Sequence, residues 1–446
     1  MRKLAVIGLD CADPKLIFEE LIDDLPNIKR LMEESTYGRL RSIIPPITVP
    51  AWICMMTGRD PGELGIYGFR NRKDYSYDSL FIANSTMIRY PTVWDRAGIK
   101  GMRSVVLGVP LTYPPKPIRG WLVSGFLAPD TEADYTYPKS LKEEIRSWVG
   151  EYILDVPDFR TDQKDRLLRD IYRMTEVRFE VAKRLAAGKG WDLFVMVEMG
   201  LDRIYHGFWA YHDPTHHKHD PNSPYRDAIR EYTAYLDRKI GELLEVLPEG
   251  CEVMIVSDHG VQGMRGGVNV NEWLIQEGYL TLKERPEEPM RMGELIKRGL
   301  VDWSRTIAWG EGGYYGRIFL NVRGREPEGV VPPEEYESVR DELKSKLEAI
   351  TDEEGNPLGT VVYKPEEVYR RVRNIPPDLI VYFGNLTWRS LGSVGSGSIW
   401  SHENDTGPDD ANHAQYGLWL MTGGRGERRD MDILEIHNLV MEFLTG

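Results

Sequence analysis

Met1-Arg2-Lys3-Leu4-Ala5-Val6-Ile7-Gly8-Leu9-Asp10 opens the chain, and its reading decides the rest. The apolar run is too short for a signal peptide, has no small-residue cleavage pattern and ends in a carboxylate. It predicts a first β-strand, with Asp10 at its carboxyl end. Working outward, residues 104–109, 193–197, 253–257, 379–383 and 418–422 are further strand-length apolar runs. Near-continuous rather than alternating runs mark strands covered on both faces. Between them lie helical patterns at 15–34, 162–187, 225–247, 333–350 and 431–443. Strands alternating with helices predict an α/β fold, a mainly parallel, doubly wound sheet flanked by helices. One catalytic domain over 1–446 is the simplest organisation. Loops at about 110–160 and 280–316 read as inserted cap or lid segments, because connections of that length are usually functional.

The 446 residues carry a formal net charge of -14. That balance argues against a nucleic-acid-tracking surface, which needs clustered Lys and Arg. Cys11, Cys54 and Cys251 lie far apart without a CxxC pair, so buried free thiols are expected rather than disulfides or a thiolate zinc site. No stretch approaches the ~20 apolar residues of a membrane span. A cytoplasmic protein without a membrane or nucleic-acid partner is the expectation.

Ligands of open parallel sheets bind beyond the carboxyl ends of the strands. Asp10 stands at one such end and Asp258-His259 at another. Asp202 and His206 follow the 193–197 run, and His413 precedes the 418–422 run. If these strands are neighbours, six O and N donors converge. Asp202 and His206, four apart, share one face of a helical turn. Singly, an Asp after a strand is more often a cap or turn former; jointly, the six suggest two cation sites. Mixed Asp/His ligation suits two divalent ions, zinc or, as a harder alternative, manganese. Two cations about 4 Å apart can clamp the attacking and leaving oxygens of an in-line phosphoryl displacement.

Pro45-Pro46-Ile47-Thr48-Val49-Pro50-Ala51-Trp52 supplies a nucleophile candidate. Pro50 suits a first helical turn, which sets Thr48 at a helix N-terminus, where free N–H groups and the dipole favour an anion. Without the Asp/His cluster, Thr48 would read as a mere helix cap.

These pieces resemble the alkaline phosphatase superfamily, in its type I phosphodiesterase/nucleotide pyrophosphatase branch. The resemblance rests on Ile7-Gly8-Leu9-Asp10, Pro46 to Trp52 with Thr57-Gly58 and Gly65-Ile66, Asp202-Arg203-Ile204-Tyr205-His206, Ser257-Asp258-His259-Gly260 and His413-Ala414-Gln415-Tyr416-Gly417, in family order. It implies that Asp10, Thr48, Asp258 and His259 surround one metal while Asp202, His206 and His413 hold the other. It also implies a covalent phosphothreonine that water then hydrolyses, and a small phosphorylated substrate, nucleotides among the candidates. Cleavage of a phosphodiester or phosphoanhydride is the leading expectation. Phosphomonoester or phosphonate hydrolysis, phosphomutase chemistry, and a non-catalytic metal-binding module are the alternatives. Two positions depart from the branch: Phe69 stands, by spacing, where it carries a phosphoryl-holding Asn (Asn71 is close), and Leu64 where a His is frequent. Both bear on the substrate rather than on phosphoryl transfer.

Other candidates read more plainly. His212, His216, His217 and His219 fall in a Pro/Asp-containing loop and are expected to be solvent-exposed. His402 is the rival to His413, which the spacing to Gly417 favours. His437 reads as a surface or core-edge residue, Arg70 and Arg72 as a basic surface turn, and Trp303 and Trp309 as packing residues.

Overall fold

The computed structural model describes residues 2–446. The chain forms two compact units: Met1–Leu64, Ala83–Val261 and His413–Gly446 make the first, Gly65–Ile82 and Gln262–Asn412 the second.

The first unit is built on one large sheet. Its main strands are β1 (Lys3–Leu9), β2 (Ser35–Arg41), β3 (Ser104–Leu107), β4 (Gly120–Val123), β5 (Leu193–Glu198), β6 (Cys251–Val256) and β7 (Tyr416–Thr422). They lie in the order β2-β7-β6-β1-β5-β3-β4. The centre is parallel, with Val6 of β1 opposite Val195 of β5 on one side and Met254 of β6 on the other. β3 pairs in parallel with both β5 and β4, whereas β7 pairs antiparallel with both β6 and β2. β3 and β5 are buried along their whole length, which explains why their sequences show no alternation. In β1, Leu4, Val6, Ile7 and Leu9 are at most 1% exposed, each such burial being worth roughly 1.5–3 kcal/mol.

The flanking helices are α1 (Thr48–Thr57), α2 (Lys164–Gly188), α3 (Gly200–His212), α4 (Ala228–Leu244) and α5 (Glu435–Thr445). α1 packs against α5, and α2, α3 and α4 pack against one another. Gly8 lets α1 approach β1: a Cβ there would lie 2.5 Å from the Trp52 ring and 2.8 Å from the Met196 carbonyl oxygen.

The helix expected over 15–34 is broken into short turns and an α-helix at Pro26–Glu33. Pro26 takes a first-turn position, where its missing N–H costs nothing.

The second unit holds a four-stranded antiparallel sheet, ordered Ala308–Glu311, Gly316–Leu320, Leu379–Tyr382, Val361–Tyr363. The 379–383 run, expected beside the parallel strands, lies here instead. Its unbroken apolar character reports burial, and burial does not distinguish parallel from antiparallel pairing. Trp303 and Trp309 sit in this unit's core, Trp303 stacked on Tyr77 at 3.5 Å between ring centroids.

Candidate active site

The parallel register aligns the ends of β1, β5 and β6, since Leu9 pairs with Glu198 and Gly8 with Val256. The Asp10 N–H donates to the Glu198 carbonyl at 2.9 Å, continuing the ladder one residue past β1. Asp258 and His259 follow β6, and Asp202 and His206 sit on one face of α3. His413, ahead of the 418–422 run, belongs to a short strand of its own, Ala411–Ala414. Thr48 is the first residue of α1, preceded by an extended Ile47. All seven side chains are at most 3% exposed.

They gather into two groups, Asp10 with Asp258 and His259, and Asp202 with His206 and His413; within each, one donor atom per residue lies within 4.8 Å of the others. Thr48 Oγ1 is 3.2 Å from His259 Nε2, and the His259 and His413 rings stack at 3.7 Å. The groups are therefore adjacent, with Thr48 at the first.

The ring nitrogens identify what the groups are built to hold. His413 Nδ1 is 2.7 Å from the Pro46 carbonyl and His259 Nδ1 is 3.1 Å from the Gly260 carbonyl. A carbonyl only accepts, so both Nδ1 atoms carry a proton and donate, and each ring turns its Nε2 inward. Those nitrogens meet oxygens: His259 Nε2 lies 3.1 Å from Asp258 Oδ2, and His413 Nε2 3.6 Å from Asp202 Oδ1. Asp10 Oδ1 and Asp258 Oδ2 are buried with no hydrogen-bond partner among the described residues. Ring nitrogens and carboxylate oxygens crowded in a dry pocket are costly unless protons or metal cations lie between them. The donor set fits divalent metal ions.

Each carboxylate has one oxygen taken by a protein donor. Trp52 Nε1 donates to Asp10 Oδ2 at 2.7 Å, the Cys11 N–H to Asp258 Oδ1 at 3.1 Å, and Arg203 to Asp202 Oδ2. The opposite oxygen of each faces the histidine or histidines of its group.

The two groups differ in their protonation. Burial, reinforced by Asp258 and Asp202, pushes Asp10 well above the usual carboxylate range. Burial works against a charge on His259, but Asp258 outweighs it and the net shift is upward. In the second group burial is again the largest influence on Asp202, yet His206 and Arg203 together overcome it and hold the carboxyl well below its ordinary value. Burial, helped by His259, pushes His413 down to about 4. Asp10 and His259 of the first group thus hold protons more tightly than usual, whereas Asp202 and His413 of the second hold them more loosely.

A family model described as type I phosphodiesterase / nucleotide pyrophosphatase matches residues 4–409. The chain belongs to this family. It is accordingly a metal-dependent hydrolase acting on phosphoester bonds. No curated protein matches its sequence. Among solved structures, phosphonoacetate hydrolase from Sinorhizobium meliloti 1021, in complex with phosphonoformate, is similar with a TM-score of 0.63 at 15% identity, covering 100% of this chain and 96% of that one. Human ectonucleotide pyrophosphatase / phosphodiesterase 5 gives 0.55 at 14%, covering 100% and 95%. An inactive form of the murine protein in complex with AMP gives 0.55 at 13%, also covering 100% and 95%. These likenesses establish the alkaline-phosphatase-like fold of this phosphodiesterase-family chain.

Sequence reasoning passed over the residues that orient the ligands. Trp52, four residues after Thr48, shares its helix face and could have been found from that spacing. Glu198 accepts the Gly200 N–H at 3.0 Å and so caps the helix that carries Asp202 and His206. The remaining candidates resolve differently. Asn71 accepts from Tyr67 N–H at 2.8 Å and donates to the Gly68 carbonyl at 2.9 Å, closing its own turn. Arg72 is buried against Glu326 at 3.1 Å rather than on a surface turn. His402 is half exposed, 3.4 Å from Glu353 in the second unit. His437 is buried, its Nδ1 3.0 Å from the Met56 carbonyl. His216 is buried as well, while His217 is exposed. No helix among the described residues is long and apolar enough to cross a membrane.

Proposed function

We propose that this chain hydrolyses phosphodiester or phosphoanhydride bonds of a small phosphorylated substrate, with Thr48 as nucleophile and two divalent ions, zinc or manganese, held by the two Asp/His groups. The observation that carries the reading is the paired set of inward Nε2 atoms and buried carboxylate oxygens, with the Thr48 hydroxyl 3.2 Å from His259. Metal ions bound there would lower the pKa of a coordinated hydroxyl and neutralise charge on phosphoryl oxygens. The chain's own residues account for the rest. His259 holds the Thr48 oxygen at 3.2 Å beside the buried carboxylates of Asp10 and Asp258. The N-terminus of α1 offers backbone N–H groups and a positive dipole end to the phosphoryl oxygens. His413, tethered to the Pro46 carbonyl, ties the second group to the segment that leads into Thr48. A cytoplasmic location accompanies this reading.

Protein stripped of metal should lose activity on an aryl phosphodiester and regain it with zinc or manganese. Thr48→Ala should cut the metal-loaded rate on the order of 10⁶-fold, as loss of a nucleophile does. A variant keeping most of the rate would refute the covalent route. Comparing aryl mono- and diester rates on one preparation separates the diesterase reading from a monoesterase.

A further inference from the structure

The segment following Gly150 does more than connect. Residues 153–158 are fastened by three guanidinium groups from two helices. Buried Arg178 of α2 donates to the carbonyls of Ile153 and Leu154 at 3.2 and 3.0 Å. Arg166, also of α2, donates to the Pro157 and Asp158 carbonyls at 3.1 and 3.0 Å. Between these anchors Asp155 meets Arg203 of α3 in a two-pronged pair, Nε to Oδ1 at 2.8 Å and the terminal nitrogen to Oδ2 at 2.6 Å. The other terminal nitrogen of Arg203 donates to Asp202 Oδ2. Phe159 completes the support, its ring centroid 4.3 Å from the Arg203 guanidinium carbon and 6.1 Å from the His206 ring.

The chemistry of this chain of contacts is specific. A guanidinium beside a metal-binding carboxylate competes with the metal for its charge. Asp155 offsets that competition by neutralising Arg203 from the far side, while the planar fork fixes the orientation of the group. Asp202 is then left with Oδ1 alone facing His206 and His413, at 3.3 and 3.6 Å. The first group has no equivalent: its carboxylates are oriented by an uncharged indole and a backbone N–H.

We propose that Asp155 and Arg203 are positioning residues that set the affinity of the Asp202/His206/His413 site for its cation, and that residues 153–158 form a fixed wall of that site. This inference rests on the two-metal reading above. It makes the second site adjustable independently of the first.

The test is a titration of the metal-stripped full-length protein with cobalt(II), followed by visible absorption and by metal counting, alongside thermal unfolding. The wild type should take up two equivalents. Asp155→Asn, which leaves Arg203 to pull on Asp202 unopposed, should weaken the second equivalent by about 10–100-fold, the usual consequence of losing an outer partner of a metal ligand. The first equivalent should be unchanged. Arg203→Lys should shift the second equivalent in the same direction, because it keeps the charge but loses the fork. Phe159→Leu, which removes only the aromatic support, should have a smaller effect of the same kind. Unchanged affinities with only a lower unfolding temperature would overturn the proposal, as would equal weakening of both equivalents. A wild type that binds one equivalent or none would refute the two-metal reading itself.

Discussion

The two ligand groups share rings that stack on each other, yet they are built differently. Asp10, Asp258 and His259 project from the ends of adjacent parallel strands, so the sheet register itself brings them together. Asp202 and His206 depend on the turn of one helix, and His413 reaches them from a remote strand. The first group is carboxylate-rich and holds protons more tightly than usual. The second has one carboxylate, already bound to a guanidinium, and two imidazoles. The comparison teaches that a sheet edge can bring carboxylates together by register alone, and that the crowding then shows as a raised proton affinity at Asp10. A helix-borne pocket needs outside parts to hold its single carboxylate in place.

Removing one ligand from either side tests the contrast at its strongest. Asp258→Ala and His206→Ala should each lower turnover about 10³-fold, since a bound metal supplies several kcal/mol of charge stabilisation and each 1.36 kcal/mol is tenfold. Metal counting separates them: His206→Ala should retain one tightly held ion, whereas Asp258→Ala should lose the first-group ion. Loss of both ions from His206→Ala would mean that the groups are not separable.

Replacing Trp52 by Phe removes the indole donor to Asp10 while keeping an aromatic ring. Affinity of the first group should fall by about 10-fold, at the lower end for lost second-layer contacts, with the second group unaffected. Isothermal titration of this variant against wild type reads this directly.

Acidity should also divide the groups. A cation entering the first group must displace the protons held by Asp10 and His259, whose affinities for protons are raised. Its apparent affinity should therefore climb with pH, about tenfold per unit for each proton released. The second group, with Asp202 ionised and His413 deprotonated above about 4, has fewer protons to give up there. Titrations in buffers of different ionisation enthalpy would show proton release on filling the first group. Equal release at both would contradict the assignment.

The smallest effect is expected at Gly8, where an added Cβ meets the Trp52 ring and a backbone oxygen that cannot easily move. Gly8→Ala should destabilise by about 1–3 kcal/mol, as overpacking does, and should weaken the first group more than the second because Trp52 shifts. Urea unfolding combined with metal titration checks both parts.

Much of this arrangement was legible in the residues. The run ending at Asp10 and the Ser257-Asp258-His259-Gly260 stretch carry their own signal, because ionisable groups closing an apolar strand need a charged partner. The i, i+4 spacing of Asp202 and His206 was similarly readable once a helix was expected after β5. Other features were hidden for physical reasons. Burial on both faces gives 379–383 the same pattern as a parallel strand, so its place in the second unit could not be read from periodicity. Pro26 interrupts an otherwise helical pattern by local geometry that hydrophobic spacing does not register. Asp155 and Phe159 act through α3 from a segment more than forty residues away in sequence, and nothing local in their neighbourhood announces a metal site.

The central claim is that two cations lie side by side in these groups, with the threonine oxygen at the first. Anomalous diffraction from crystals of the zinc-loaded protein, collected on both sides of the zinc edge, tests it most directly. The account predicts two peaks about 4 Å apart, one among Asp10, Thr48, Asp258 and His259, the other among Asp202, His206 and His413. A single peak, or peaks outside these seven side chains, would contradict it.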